Sequence, residues 1–383
     1  MRTAIWLYLF IFIAFFDLHA QYPILTPFAI SLGAAPSFIG LIMGMYSITH
    51  IPGNLIAGYG VDRYGSKYFI AFSLIIAGFL LLVQSYVTEP WQLLVIRSIS
   101  GFILAFLSPA CLSLLSKIAR THTEQSKYMT YNGIIHTVAS ILSPAAGAVL
   151  VAKIGFNSAF YSLGWILIVT GTAALFFLHE KKHLTNKTET LMVQSLHADS
   201  DSQSVPWSFF GLPLALSCSQ GILFFEIPLM QHLPNAIMTT GIMFSVISIG
   251  SLVTLSMMFL NRVPPIYRIA SGSLLLAVSF FGMAIEWPIP LMVSLFMIGV
   301  AKGGIYPALA AYLAAIAPSN RYGRTFAILS ITYSLGAFAG PVLAGEIRDI
   351  WSPYIAAFAV LMLALAFMPS NRTPNPVPSE HLH

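Results

Sequence analysis

Apolar runs long enough to cross a lipid bilayer recur from one end of the chain to the other, and this pattern limits the possible folds most strongly. A spanning helix needs about 20 mostly apolar residues. Twelve candidate runs are Ala4–Leu25, Ser37–Ala57, Tyr68–Val87, Trp91–Ser116, Tyr128–Val151, Ser158–Leu178, Ser208–Leu229, Met238–Leu260, Ile266–Ile285, Ile289–Ile316, Thr325–Gly345 and Pro353–Met368, the last of them short. Only 8% of the 383 residues are charged and 57% are hydrophobic. A soluble domain carries about 25% charged residues. A soluble fold would have to present much of this apolar surface to water, whereas lipid is itself an apolar solvent. The expected fold is an all-α membrane protein with two six-helix bundles. The N-terminal run is too long for the apolar region of a signal peptide and reads as the first span.

The basic residues support the same count. With the N-terminus inside, the cytoplasmic side receives Arg2, Arg63, Lys67, Lys117, Arg120, Lys127, Lys181, Lys182, Lys187, Arg262, Arg268, Arg321, Arg324 and Arg372, fourteen of the eighteen. Lys153 and Arg348 fall outside, while Arg97 and Lys302 fall within spans. Basic residues retained on one side set orientation, and one missed helix would scramble the alternation. The net charge of +5 is therefore read as topology and not as a nucleic-acid footprint. Both termini are expected in the cytoplasm. Residues 179–207 form a polar linker, dividing residues 1–178 from residues 208–369, with a cytoplasmic tail over 370–383.

The two halves also resemble each other. Gly101 and Pro109 recur as Gly299 and Pro307, and Ser143-Pro144-Ala-Ala-Gly147 recurs as Gly340-Pro341-Val-Leu-Ala-Gly345. The spacing stays near 198 residues. Parallel duplication is one way to build two bundles that rock about a central site.

The turn after the second run reads Gly58-Tyr-Gly-Val-Asp62-Arg63-Tyr-Gly65-Ser-Lys67. Its glycines permit a tight turn, and its charges suit the membrane face. The string closely resembles the signature of the major facilitator superfamily, in which this loop acts as a latch between the halves. Arg97-x-x-x-Gly101 is similar to the family's fourth-helix motif, whose buried arginine is linked to proton coupling; a snorkelling arginine is the alternative. The Pro144–Gly147 and Gly340–Pro341 segments resemble the family's small-residue packing motif for antiporters, although Ser143 replaces a glycine. A role in packing alone, without information on direction, stays open. Leu32-Gly-Ala, the segment Ile39–Tyr46 and Tyr306-Pro307 are similar to exporters of staphylopine-type metallophores.

The charges inside spans are the sharpest functional signal, because charge at membrane depth is costly and usually paired or functional. They are Asp17, Arg97, Glu226 and Lys302. The resemblance implies that their helices line a central cavity. Asp17 and Arg97 are expected to couple protons, with a purely structural Asp17–Arg97 pair as the alternative. Arg97, Glu226, Lys302 and Tyr306 are expected to hold an anionic or zwitterionic substrate. Trp6, Tyr22 and Tyr46 are candidate cavity walls, and His19, His50 and His136 are candidate ligands or relays. Cys111 and Cys218 lie in apolar runs and read as small buried residues, not as metal ligands. The sequence carries no P-loop lysine motif, no HExxH and no nucleophile elbow, so no cofactor, no metal and no catalytic constellation is expected. The expected activity is secondary transport, with proton-coupled export favoured over uptake and a membrane-embedded enzyme or scaffold as a remote alternative. Expected partners are a small-molecule substrate, protons and the bilayer of a bacterial cytoplasmic membrane. The resemblance implies a monomer.

Overall fold

In the computed structural model, residues 2–119, 121–178, 207–230, 235–316 and 322–368 are described. The expected linker and tail lie almost entirely outside these residues. The helices are α1 (Arg2–Ala20), α2 (Tyr22–Ser31), α3 (Pro36–Tyr64), α4 (Ser66–Gln84), α5 (Pro90–Leu104), α6 (Leu107–Ile118), α7 (His122–Phe177), α8 (Gly211–Glu226), α9 (Ala236–Ser256), α10 (Pro265–Ala284), α11 (Leu291–Ile316), α12 (Tyr322–Ile347) and α13 (Pro353–Ala366). Short 3₁₀ turns flank α8, and another lies between α9 and α10.

These helices make the expected twelve crossings, with three local differences. The first crossing is broken between α1 and α2, and the fourth between α5 and α6. In both cases a proline follows within the next few residues, Pro23 and Pro109. Proline lacks the N–H that would bond to the preceding turn, so a new helix starts there. The fifth and sixth crossings need no loop. Helix α7 spans 56 residues and reverses at Gly155, where φ is 78° and ψ is 170°. A straight helix of that length would reach about 84 Å, far more than a bilayer.

The segment from Gly58 to Lys67 also corrects the sequence reading. Gly58 through Arg63 are not a loop but the last turns of α3. No residue there breaks a helix, and the reversal is confined to Gly65, with φ 93° and ψ 151°. Only glycine adopts that conformation without strain. Arg63 is exposed at this end, and Lys67 opens α4. The side chain of Asp62 lies outside the described residues.

Close helix contacts repeat between the halves. A Cβ on Gly101 of α5 would fall on the Tyr46 carbonyl of α3, and one on Gly299 of α11 would fall on the Ile247 carbonyl of α9. Likewise Gly147 of α7 abuts Ala20 of the first crossing, and Gly340 of α12 abuts the Cys218 carbonyl of α8. The second crossing thus packs on the fourth as the eighth does on the tenth. The first packs on the fifth as the seventh does on the eleventh. Backbones approach this closely only where side chains are small.

Outward faces suit lipid. Phe72, Phe79, Val169, Phe176, Leu274 and Leu363 are exposed on the helix sides. Tyr86, Trp91, Trp207 and Trp351 are exposed near helix ends, where amphipathic rings favour the membrane–water boundary.

Candidate functional site

Two seams join the bundles, α3 against α12 and α7 against α9. Both are tight at the end that carries Gly33 and Gly155. There Gly40 lies against the Pro341 carbonyl, Gly345 against Pro36, and Gly241 against Ala148 and the Pro144 carbonyl. The Ser245 hydroxyl donates to the Ile141 carbonyl across the second seam at 2.7 Å. Just below, Tyr22 packs on Phe224 at 4.5 Å between centroids, and Phe224 on Phe244 at 5.1 Å.

The other end is open. A cavity of about 970 Å³ reaches from this aromatic cluster toward the end bearing Lys117, Lys127 and Arg262, and its walls there include Ser108, Thr130, Asn132, Leu255 and Ser256. A narrower chamber of about 310 Å³ adjoins it, lined by Arg97, Tyr46, Ser217, Tyr333 and Pro341. Tyr22, Gln220, Phe224 and Tyr306 line both chambers. The Tyr306 hydroxyl donates to Gln220 Oε1 at 2.9 Å, which ties the eighth helix to the eleventh at the junction.

Asp17 and Arg97 come together, but through a third residue. Gln21 Nε2 donates to Asp17 Oδ2 at 2.9 Å, and Arg97 Nη1 donates to Gln21 Oε1 at 2.8 Å. The amide is oriented by its neighbours, since only its oxygen accepts from the guanidinium and only its nitrogen donates to the carboxylate. Asp17 is 3% exposed and Arg97 is 6% exposed. Arg97 also lies over the Tyr46 ring, 4.6 Å from its centroid. Among the described residues, Asp17 Oδ1 and Arg97 Nε have no hydrogen-bond partner. The carboxylate is therefore linked through one amide to Arg97 on the wall of the narrower chamber, and only half satisfied. Gln21→Leu would cut both bonds. It is expected to destabilise the protein by about 3 kcal/mol, the scale of two hydrogen bonds to charged groups, read as a lower melting temperature of the purified protein.

Lys302 lines the wide chamber, with its ammonium 5.7 Å from the centre of the Phe224 ring. His19 and His136 line the same wall, their rings 5.2 Å apart and nearly perpendicular. Glu226 requires a correction. It lines neither chamber; its Oε1 lies 3.4 Å from Arg348 Nη1 at the sealed end. It is the last residue of α8, and its carboxylate faces the turn before α13. Of the aromatic candidates, Tyr22, Tyr46 and Tyr306 reach the chambers, whereas Trp6 stacks on Phe177 at 4.2 Å. His50 bonds Asn54 at 2.9 Å and lies outside both chambers. Sequence reasoning passed over Gln21, Gln220 and Tyr333. Gln21 carried a signal, since it lies one helical turn beyond Asp17.

A duplicated bundle pair, closed at one end around a chamber and open at the other, suits a carrier of small molecules. The sequence matches the Major Facilitator Superfamily over residues 7–289 and 269–382, and the chain belongs to that family. It is a multi-pass membrane transporter. It is 23% identical over 311 residues, 78% of this chain and 75% of the relative, to the "Multidrug resistance protein MdtG" of Citrobacter koseri. It is 27% identical over 165 residues, 43% of this chain and 42% of the relative, to an uncharacterized MFS-type transporter of Methanocaldococcus jannaschii. Its fold is similar to a bacterial homolog of the human lysosomal transporter Spinster, solved in an inward-facing and occupied conformation. The TM-score there is 0.75 at 15% identity, covering 95% of each chain. The human organic anion transporter MFSD10 gives a TM-score of 0.65 at 15% identity, covering 96% of this chain and 99% of the other.

Proposed function

We propose that this protein exports a small molecule by alternating access, driven by protons entering the cell. The observation that carries the reading is the Asp17–Gln21–Arg97 cluster, buried against a chamber sealed at one end and open at the other. Asp17 is the proton-carrying carboxylate, and Arg97 is the charge that senses whether it is ionised. The substrate is a drug or a metallophore-like anionic or zwitterionic metabolite, held by Arg97, Lys302 and Tyr306. The multidrug name of the MdtG relatives favours export. In a bacterial cytoplasmic membrane the open, basic end faces the cytoplasm, which places both termini inside and makes this state inward-facing. The segment from Gly58 to Lys67 is the latch at that end, and the protein acts as a monomer.

Proton-coupled or facilitated uptake is the second reading, since Pro144, Gly147, Gly340 and Pro341 serve close packing in either direction. Everted membrane vesicles separate the two. Export predicts energised accumulation of substrate inside everted vesicles and depletion from intact cells. Accumulation in intact cells would overturn it.

A further inference from the structure

The chamber walls carry an imbalance of charge. Among the described residues that line the two chambers, Lys302 and Arg97 are cations and no aspartate or glutamate is present. The two span carboxylates singled out in the sequence line neither chamber: Asp17 accepts from Gln21, and Glu226 pairs with Arg348. A cationic ligand would therefore meet two like charges and no counter-ion. An ammonium or guanidinium left without a partner at membrane depth is costly, so a carboxylate, phosphate or sulfonate brought by the ligand would be favoured.

One part of the wall is better equipped for such a group than the rest. His19, His136 and Lys302 come from the first, fifth and tenth crossings and converge on the wide chamber. His19 Nδ1 lies 2.7 Å from the Phe15 carbonyl. That oxygen can only accept, so Nδ1 carries the proton and the ring is fixed. His136 packs edge-on against both His19 and Phe15, the latter at 4.4 Å. Lys302 lines the same chamber as both imidazoles. Because Lys302 belongs to the second bundle and the histidines to the first, a ligand between them would bridge the two bundles. Toward the open end, Ile134, Val138, Leu252 and Leu255 give the chamber an apolar rim.

We infer that Lys302 and His136 form the head-group site for an amphipathic organic anion, whose apolar body lies along Phe224 and the rim, while His19, with its proton committed to the Phe15 carbonyl, backs the His136 ring. This rests on the proposal that the chamber takes the cargo; it narrows that cargo to one of net negative charge with an apolar body and adds His136 to the residues that hold it. Charge-assisted hydrogen bonds are the strong ones, so loss of the Lys302 charge removes most of the preference.

The test is equilibrium binding to the purified full chain in detergent, followed by fluorescence anisotropy. Three probes share one aromatic body and differ in charge: dansylglycine, dansylglycinamide and dansylethylenediamine. Dansylglycine is expected to bind about tenfold more tightly than the other two. Lys302→Gln should abolish that preference, Lys302→Arg should keep most of it, and His136→Ala should weaken dansylglycine alone. Retention of the preference in Lys302→Gln overturns the inference. So does equal or tighter binding of dansylethylenediamine, or no binding of dansylglycine to the unaltered protein. A normal binding order together with transport that ignores pH gradients would retain the anion site and sink the proton-coupled export reading, so the two fail separately.

Discussion

Asp17→Asn is expected to bring pH-gradient-driven transport down to the level of protein-free liposomes while leaving substrate exchange intact. The substitution keeps the size of the side chain and its acceptor for Gln21 Nε2, but it removes the group that can take up and release a proton. Exchange of labelled for unlabelled substrate needs only that the carrier reorient, whereas gradient-driven accumulation needs that reorientation to be tied to proton movement. The two readouts on one preparation separate coupling from folding. If gradient-driven transport survives at its original rate, Asp17 and Arg97 are a structural pair that fixes the first crossing against the fourth. If exchange is lost as well, the carboxylate is needed for the fold or for reorientation, and the coupling assignment fails.

Gly40→Leu is expected to push the carrier away from the state described here. A Cβ at Gly40 already falls on the Pro341 backbone, and backbone cannot swing aside as a flexible side chain does. Overpacking of this kind costs about 3 kcal/mol at its upper range. That cost falls only on the state in which α3 and α12 meet at this seam, so it shifts the balance toward the opposite opening by about a hundredfold. Spin labels at Ala35, before α3, and at Ile350, after α12, would report it, since both residues are exposed at the sealed end. The distance between them should lengthen by several ångströms in Gly40→Leu, with slower transport. An unchanged distance would mean that this seam does not close the gate.

The sequence shows the crossings plainly, because lipid leaves each spanning helix written as an apolar run and leaves most basic residues on one side. It also shows which charges lie deep. Asp17, Arg97 and Lys302 stand out against their neighbours, and the structure brings all three to the chamber region. What it hides is azimuth. Glu226 stands out by its charge yet faces away from both chambers, since a helix that is apolar all round gives no periodicity from which to read direction. Uncharged polar residues are hidden for a different reason. Gln21 and Gln220 differ little in composition from a turn of packed helix, and only their contacts with Asp17, Arg97 and Tyr306 reveal them. Helix ends were misread where polarity and backbone preference part company. Asp62 and Arg63 look like loop residues, but nothing in them stops a helix, and Gly65 does.

The measurement closest to the central claim is substrate movement in proteoliposomes under an imposed pH gradient, with internal pH followed in the same vesicles. The account predicts that substrate runs opposite to protons, that adding substrate to one side moves protons without an imposed gradient, and that both effects vanish in Asp17→Asn. Substrate that equilibrates at the same rate and to the same extent with or without the gradient, and without moving protons, would contradict it.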